Sequence, residues 1–236
     1  MSKALYMDDG YLKEFEATVE SVKDDKYVVL DQTAFYPLSG GVAYDTGVFV
    51  KDGEEFPVVY VGKFSGEISH EVSKPGLKQG DKITGKIDWD RRYKLMRLHT
   101  AAHLIASIFH NKGGALITGG NIQLEKSRID FNLENYDRNV IDEYAKLANE
   151  LIQKDAPVKI SYMKREEALK IPDMVKLANK MPPEVETLRI VEIEGIDKQA
   201  DGGPHVKSIK EIGTLEILKL ENKGKNNRRV YYTINP

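Results

Sequence analysis

Two of the chain's five histidines stand four residues apart in Leu98-His99-Thr100-Ala101-Ala102-His103, inside a stretch whose apolar residues recur at helical spacing. On a helix, positions i and i+4 share a face with Cβ atoms roughly 5 to 6 Å apart, a separation at which two imidazoles can bind one metal ion. Ala101, Ala102 and Ala106 are small and leave room beside the rings. The residue after His99 is Thr rather than Glu, so the pair lacks the general base of a zincin helix. Taken alone, it reads equally well as two satisfied, half-buried helix histidines. A second element, Gln199-Ala200-Asp201-Gly202-Gly203-Pro204-His205-Val206, sets an Asp and a His on either side of a Gly-Gly-Pro bend between two β-like runs. Glycines permit close backbone approach and unusual dihedrals, so Asp201 and His205 can converge on one point. Together His99, His103 and His205 would offer three neutral nitrogens to a zinc ion, leaving a fourth position for water, substrate or Asp201. That describes a hydrolytic or carbonyl-polarising site suited to many esters, and the donor set does not name the substrate.

Such residues need elements to bring them together. Up to about Ile87 the chain reads as short β-prone runs, EFEATVESV, KYVVL, EFPVVYVG and DKITGKI, broken by Asp-Asp, Gly-Gly and Lys-Asp-Gly turn signals. The period then changes. Leu95, Leu98, Ala102, Ile105 and Phe109 recur every three or four residues, with Asp88 as N-cap and Asn111 to Gly114 as the stop. After β-like GALITGG and SRIDFNL, a second helix is expected over Arg138 to Lys154 and a short one over Arg165 to Lys170. Three strands follow in ETLRIVEIEG, GTLEILKLEN and RRVYYTI. Mixed but not alternating elements predict an α+β fold. The expected architecture is a small β-barrel-like N-terminal domain, residues 1–88, and an α+β domain, residues 89–236, with helices and a mixed or antiparallel sheet.

Composition narrows the chemistry. The 236 residues contain no cysteine, which excludes a disulfide scaffold, a zinc ribbon and a thiol nucleophile. Thirty-five Lys plus Arg against 37 Asp plus Glu leave a net charge of −2, so any nucleic acid must be held by a local patch rather than a global field. No stretch approaches about 18 consecutive apolar residues, and the expectation is a cytoplasmic protein with no anchor.

The motifs resemble those of the alanyl-tRNA editing proteins, free-standing relatives of the editing domain of alanyl-tRNA synthetase. That family carries His-x-x-x-His, matched here by His99 and His103, and a later Cys-Gly-Gly-Thr-His-Val element, matched by Asp201-Gly202-Gly203-Pro204-His205-Val206. Further matches are Asp31-Gln32-Thr33-Ala34-Phe35-Tyr36-Pro37, Ser39-Gly40-Gly41, Asp45-Thr46-Gly47, Thr118-Gly119, Arg128-Ile129-Asp130-Phe131 and Glu211-Ile212-Gly213, in the family's order from about residue 6 to 233. The length fits the medium form, with the N-terminal β module and no long C-terminal extension. The resemblance implies a zinc-dependent deacylase that removes serine or glycine from mischarged tRNA for alanine. Two positions depart from the pattern. Asp201 stands where the family has Cys, as an oxygen ligand or as an acceptor orienting His205 or a water. Val42 stands where many relatives have Gln.

Within that resemblance Thr33 is the candidate contact to serine's hydroxyl, and Gly40, Gly41, Gly202 and Gly203 are expected beside the substrate. Thr118, Gly119 and Gly120 could bring backbone amides to the terminal ribose or carbonyl, or form a plain turn. Arg228 and Arg229, in a stretch with Lys219, Lys223, Lys225 and a single acidic Glu221, are expected to hold tRNA phosphates. His70 and His110 are expected to face solvent, His70 in a polar loop. Competing readings are editing of serine on tRNA for threonine, since Pro204 resembles the Gly-Pro-His setting of the threonyl-tRNA synthetase editing domain although the Phe-Tyr-Pro/Gly-Gly N-terminal module favours alanine, a tRNA-binding module without catalysis, and a metal-dependent esterase for another substrate.

Overall fold

The computed structural model describes residues 2–134, 137–172, 174–178 and 181–236. The chain divides into two compact units, 1–94 and 95–236. In the first unit, β1 (Lys3–Ala4) pairs in parallel with β4 (Gln32–Thr33). Six antiparallel strands close a barrel in the order β2-β3-β7-β6-β5-β8: β2 (Glu14–Lys23), β3 (Tyr27–Leu30), β5 (Gly47–Lys51), β6 (Glu54–Phe64), β7 (Glu67–Val72) and β8 (Lys82–Ile87). Alternate side chains fill it, among them Phe15, Ala17 and Val19 from β2 and Phe56 and Val58 from β6. Closure leaves the barrel without an open edge.

The stretch around His70, expected as a solvent-facing polar loop, is strand β7. Ile68, His70 and Val72 alternate inward while Glu67, Ser69 and Glu71 point out, so His70 takes a core position with no exposure. Its ring packs edge-on against Phe35 and Phe49, with centroids 5.6 and 5.3 Å away.

Helix α1 (Trp89–Gly113) starts at Asp88, whose carboxylate accepts the Arg91 N–H at 3.2 Å. It stops at Gly114, which adopts φ +64° and donates its N–H to the His110 carbonyl at 2.8 Å, a left-handed cap that favours glycine. In the second unit, β9 (Ile117–Asn121), β10 (Ser127–Phe131), β14 (Thr214–Asn222) and β15 (Arg228–Asn235) form an antiparallel sheet in the order β14-β15-β10-β9. A second antiparallel sheet, β11-β12-β13, joins β11 (Val158–Lys164), β12 (Thr187–Ile193) and β13 (Asp197–Ala200). Helix α2 (Arg138–Ile152) is capped by Asp137, which accepts the Asn139 N–H, and buries Ile141, Ala148 and Ile152. Helix α3 is the single turn Arg165–Ala168. Among the described residues no helix is long and apolar enough to cross a membrane.

Candidate metal centre

The apolar run of α1 buries His99, Thr100 and His103 along with their neighbours. Facing them is the loop that leaves β13. Arg189 on β12 accepts the Asp201 N–H at its carbonyl (3.1 Å) and donates Nη1 to the carbonyls of Asp201 (2.8 Å) and Gly203 (3.0 Å). The Gly203 N–H returns to Asp201 Oδ1 at 2.7 Å, closing a tight bend. A Cβ at residue 203 would lie 2.5 Å from His99 Cε1, so the bend can pass beside the ring only with glycine there. Thr100 ties loop to helix: its hydroxyl donates to the Met96 carbonyl (3.0 Å) and accepts the Val206 N–H (3.3 Å).

The structure brings His99, His103, His205 and Asp201 into one cluster whose candidate ligand atoms all lie within 4.8 Å of one another. Ring centroids are 5.1 Å apart for His99 and His103, 4.2 Å for His99 and His205, and 4.6 Å for His103 and His205. Each Nδ1 faces outward to an acceptor: His99 to the Pro204 carbonyl (3.4 Å), His103 to Asp197 Oδ2 (3.1 Å), and His205 to the Thr100 oxygen (3.0 Å). A carbonyl and a carboxylate can only accept, and the Thr100 proton already goes to Met96, so every Nδ1 carries the hydrogen. With all three rings neutral, as ligands must be, three Nε2 lone pairs then face the Asp201 carboxylate, which approaches at 3.6 Å from His99, 3.9 Å from His103 and 3.2 Å from His205. Acceptors gathered without a donor require a cation or a proton among them. The donor set therefore fits a divalent metal of the zinc type.

Titration follows from the same geometry. Burial drives His99 down to about 4, and burial together with His99 drives His205 well below the usual imidazole value. Burial also pushes His103 down, but hydrogen bonds to Asp197 and Asp201 outweigh it and hold the ring at about 9. Burial would raise Asp201, yet the imidazoles beside it keep its carboxyl well below the carboxylate range. Asp197 is buried as well, and His103 and Lys176 hold it at about 2.

Residues 5–91 match the family model of class II (A) tRNA synthetases, and residues 188–231 that of the second additional domain of threonyl and alanyl tRNA synthetases. The chain is 52% identical over 241 residues to the alanyl-tRNA editing protein AlaX-M of Methanosarcina barkeri, covering 99% of both chains. It is also 52% identical to the AlaX-M protein of Saccharolobus solfataricus over the full length of both. The chain belongs to the AlaX-M family of alanyl-tRNA editing proteins. It is similar too to the alanine–tRNA ligase of Pyrococcus furiosus, 37% identical over 93% of this chain and 24% of the ligase.

The remaining expected residues lie as follows. Thr33 is fully buried, its hydroxyl donating to His70 Nε2 (2.9 Å) and accepting the Phe35 N–H (3.1 Å). Gly40 and Gly41 form a tight bend at φ +59° and +81° between Ser39 and Val42, which pair with each other. Thr118, Gly119 and Gly120 lie on the edge strand β9 and not in a turn; Thr118 donates to Asn227 Oδ1 at 3.1 Å, and Gly119 pairs with Asp130. Arg228 is buried, with Nη1 on Asn222 Oδ1 (2.8 Å) and the Gly224 and Asn227 carbonyls and Nη2 on the Glu134 carbonyl. Arg229 clasps both oxygens of Asp130, at 2.7 and 2.9 Å. His110 is half-buried and bonds the Ala115 carbonyl. Sequence reasoning missed Thr100, Lys176, Arg189 and Asp197. For Asp197 a signal existed: Asp197-x-Gln199 alternates on a strand that runs straight into Asp201, so both side chains share one face just before the candidate ligand.

Proposed function

We propose that this protein is an aminoacyl-tRNA deacylase that edits in trans, hydrolysing the ester of serine mischarged on tRNA for alanine, with glycine as a second substrate, in the cytoplasm and with one zinc ion per chain. The observation that carries this reading is the convergence of His99, His103, His205 and Asp201, in a chain whose AlaX-M relatives are named for alanyl-tRNA editing. Zinc held by the three Nε2 atoms would polarise an ester carbonyl or lower the pKa of water. Asp201, ionised among the imidazoles, takes the fourth ligand position or orients the attacking water. Gly202 and Gly203 keep side chains out of the space beside the rings. Gly40, Gly41, Thr118 and Gly119 are the proposed contacts to the 3′-terminal nucleotide, with Arg228 and Arg229 in the tRNA-holding region, and Thr33 is the proposed monitor of serine's hydroxyl.

The test is release of serine, glycine and alanine from tRNA for alanine, and of serine from tRNA for threonine, with and without a chelator. Threonyl tRNA is included because the family model over 188–231 covers both synthetases. Serine and glycine should be released from the alanine tRNA, and alanine spared. His99→Ala and His205→Ala should each lose at least ~10²-fold in turnover, the scale of removing a group that stabilises developing charge, while circular dichroism stays that of the folded chain. Normal turnover by a folded, metal-stripped protein removes the metal reading; no release from any tRNA leaves a binding module.

A further inference from the structure

The three imidazoles are not held alike. His99 leans on a carbonyl at 3.4 Å and His205 on a hydroxyl, whereas His103 donates to a carboxylate. That carboxylate, Asp197, is itself fixed from three sides. Lys176 Nζ reaches Oδ1 at 2.7 Å, while Gln199 Nε2 and His103 Nδ1 reach Oδ2 at 2.9 and 3.1 Å. Asp197 is 5% exposed, Lys176 4% and Gln199 7%, so a complete polar network lies behind one ring in a place where an unmatched ionic group would be costly. Nothing in the ligand set requires an ion pair there; a backbone carbonyl, as His99 uses, would satisfy the same N–H. We infer that Asp197 is a positioning residue for the metal, locking His103 as the Nδ1–H tautomer and making its Nε2 the strongest donor of the three, with Lys176 and Gln199 holding the carboxylate in line. A carboxylate behind a metal-binding imidazole raises its basicity and fixes its aim.

This inference rests on the zinc reading, and the experiment separates the two. Zn2+ affinity is measured by competition with a chromophoric chelator for the wild-type chain, His99→Ala, Asp197→Asn and Asp197→Glu. Wild type should take up one zinc per chain. Asp197→Asn should bind it about 10- to 100-fold more weakly, the usual effect of losing such a partner, and Asp197→Glu should recover part of the loss by restoring the charge. A wild type that takes up no zinc overturns the metal reading and this inference with it. A zinc-binding wild type matched by an equally tight Asp197→Asn overturns the inference alone. Asn in this network would set its amide against the donors of Lys176, Gln199 or His103 and could prevent folding. Histidine 15N spectra of the zinc-loaded wild type therefore provide a second measurement: His103 should be protonated at Nδ1 and metallated at Nε2. The opposite tautomer, or a His103 ring that does not shift on zinc addition, overturns the inference without any variant.

Discussion

Serine and alanine differ by one hydroxyl, and an apolar synthetic pocket cannot strongly reject the larger isostere, so for the proposed serine substrate a hydrogen bond to that hydroxyl would help the editing site tell serine from alanine. Thr33 is the proposed contact. His70 Nδ1 faces the Val28 carbonyl at 3.0 Å, which leaves Nε2 as an acceptor and obliges the Thr33 hydroxyl to donate to it. With the Phe35 N–H on one lone pair, the threonine oxygen keeps one further acceptor position, on a side chain with no exposure, and the proposed contact to a seryl hydroxyl would have to reach it there. Thr33→Val should lower serine release about tenfold, one hydrogen bond's worth, while glycine release holds. It also strands the Phe35 N–H and His70 Nε2 at about 1–3 kcal/mol each, so Thr33→Ser, which keeps the hydroxyl, serves as the stability control. An unchanged serine-to-glycine ratio in Thr33→Val removes the assignment. The histidine–aspartate cluster was legible because its signals are local: four-residue spacing on a helix and a glycine bend between an Asp and a His. The partner of His103 was not, because Asp197 lies 94 residues away and meets the ring only through tertiary register.

At the scale of the element, β7 shows how a polar letter hides a strand. Glu67-Ile68-Ser69-His70-Glu71-Val72 has only two aliphatic residues, and the inward position between them is filled by an imidazole that is apolar enough among Phe35 and Phe49 once both nitrogens are bonded. The long helix and the well-patterned strands β2, β3, β6 and β8 were readable from period alone, as was the switch from period 2 to period 3.6. Strand β11 was not, because its residues are mostly exposed or half-exposed and no apolar face marks it. The buried imidazole has a consequence for acid stability. Burial lowers His70 to about 4 against an ordinary 6.5, so the unfolded chain takes up a proton that the barrel refuses. Stability is complete above pH 6.5 and is lost as the pH falls toward 4, by about 2 kcal/mol at pH 5 and ~3 kcal/mol in all. Trp89, the chain's one tryptophan, belongs to the same unit. Urea unfolding followed by its fluorescence at pH 7.5 and pH 5 should show that drop in wild type and a flatter dependence in His70→Gln. Equal pH dependence in the two would mean that His70 charges freely in the folded barrel.

At the scale of the whole molecule, a net charge of −2 supplies no field to gather a polyanion, so affinity for tRNA must come from a few well-placed cations. The β14–β15 hairpin concentrates them, but its members are differently engaged. Arg228 is directed at the carbonyls of its own loop, where its loss would loosen the hairpin rather than remove a phosphate contact. Arg229 grips Asp130 with two nitrogens and Arg128 Nη1 reaches the same carboxylate at 2.6 Å, so Asp130 offsets one of the two guanidinium charges. Lys219 lies 2.6 Å from Glu221, whereas Lys223 and Lys225 are exposed at the turn, Lys223 standing 3.8 Å from Glu221. A charge releases counterions only if it meets a phosphate without first being matched, and each such contact contributes about 0.7–0.9 to the slope of log affinity against log salt. Replacing Lys223 and Lys225 with alanine should therefore reduce that slope by roughly 1.5, weakening binding to aminoacylated and uncharged tRNA alike and leaving the serine-to-glycine ratio unchanged. Arg229→Ala should change the slope less, because Asp130, shared with Arg128, offsets part of its charge, and Arg228→Ala should act through lowered thermal stability. A double lysine variant with the wild-type salt slope would take the hairpin off the tRNA-binding surface.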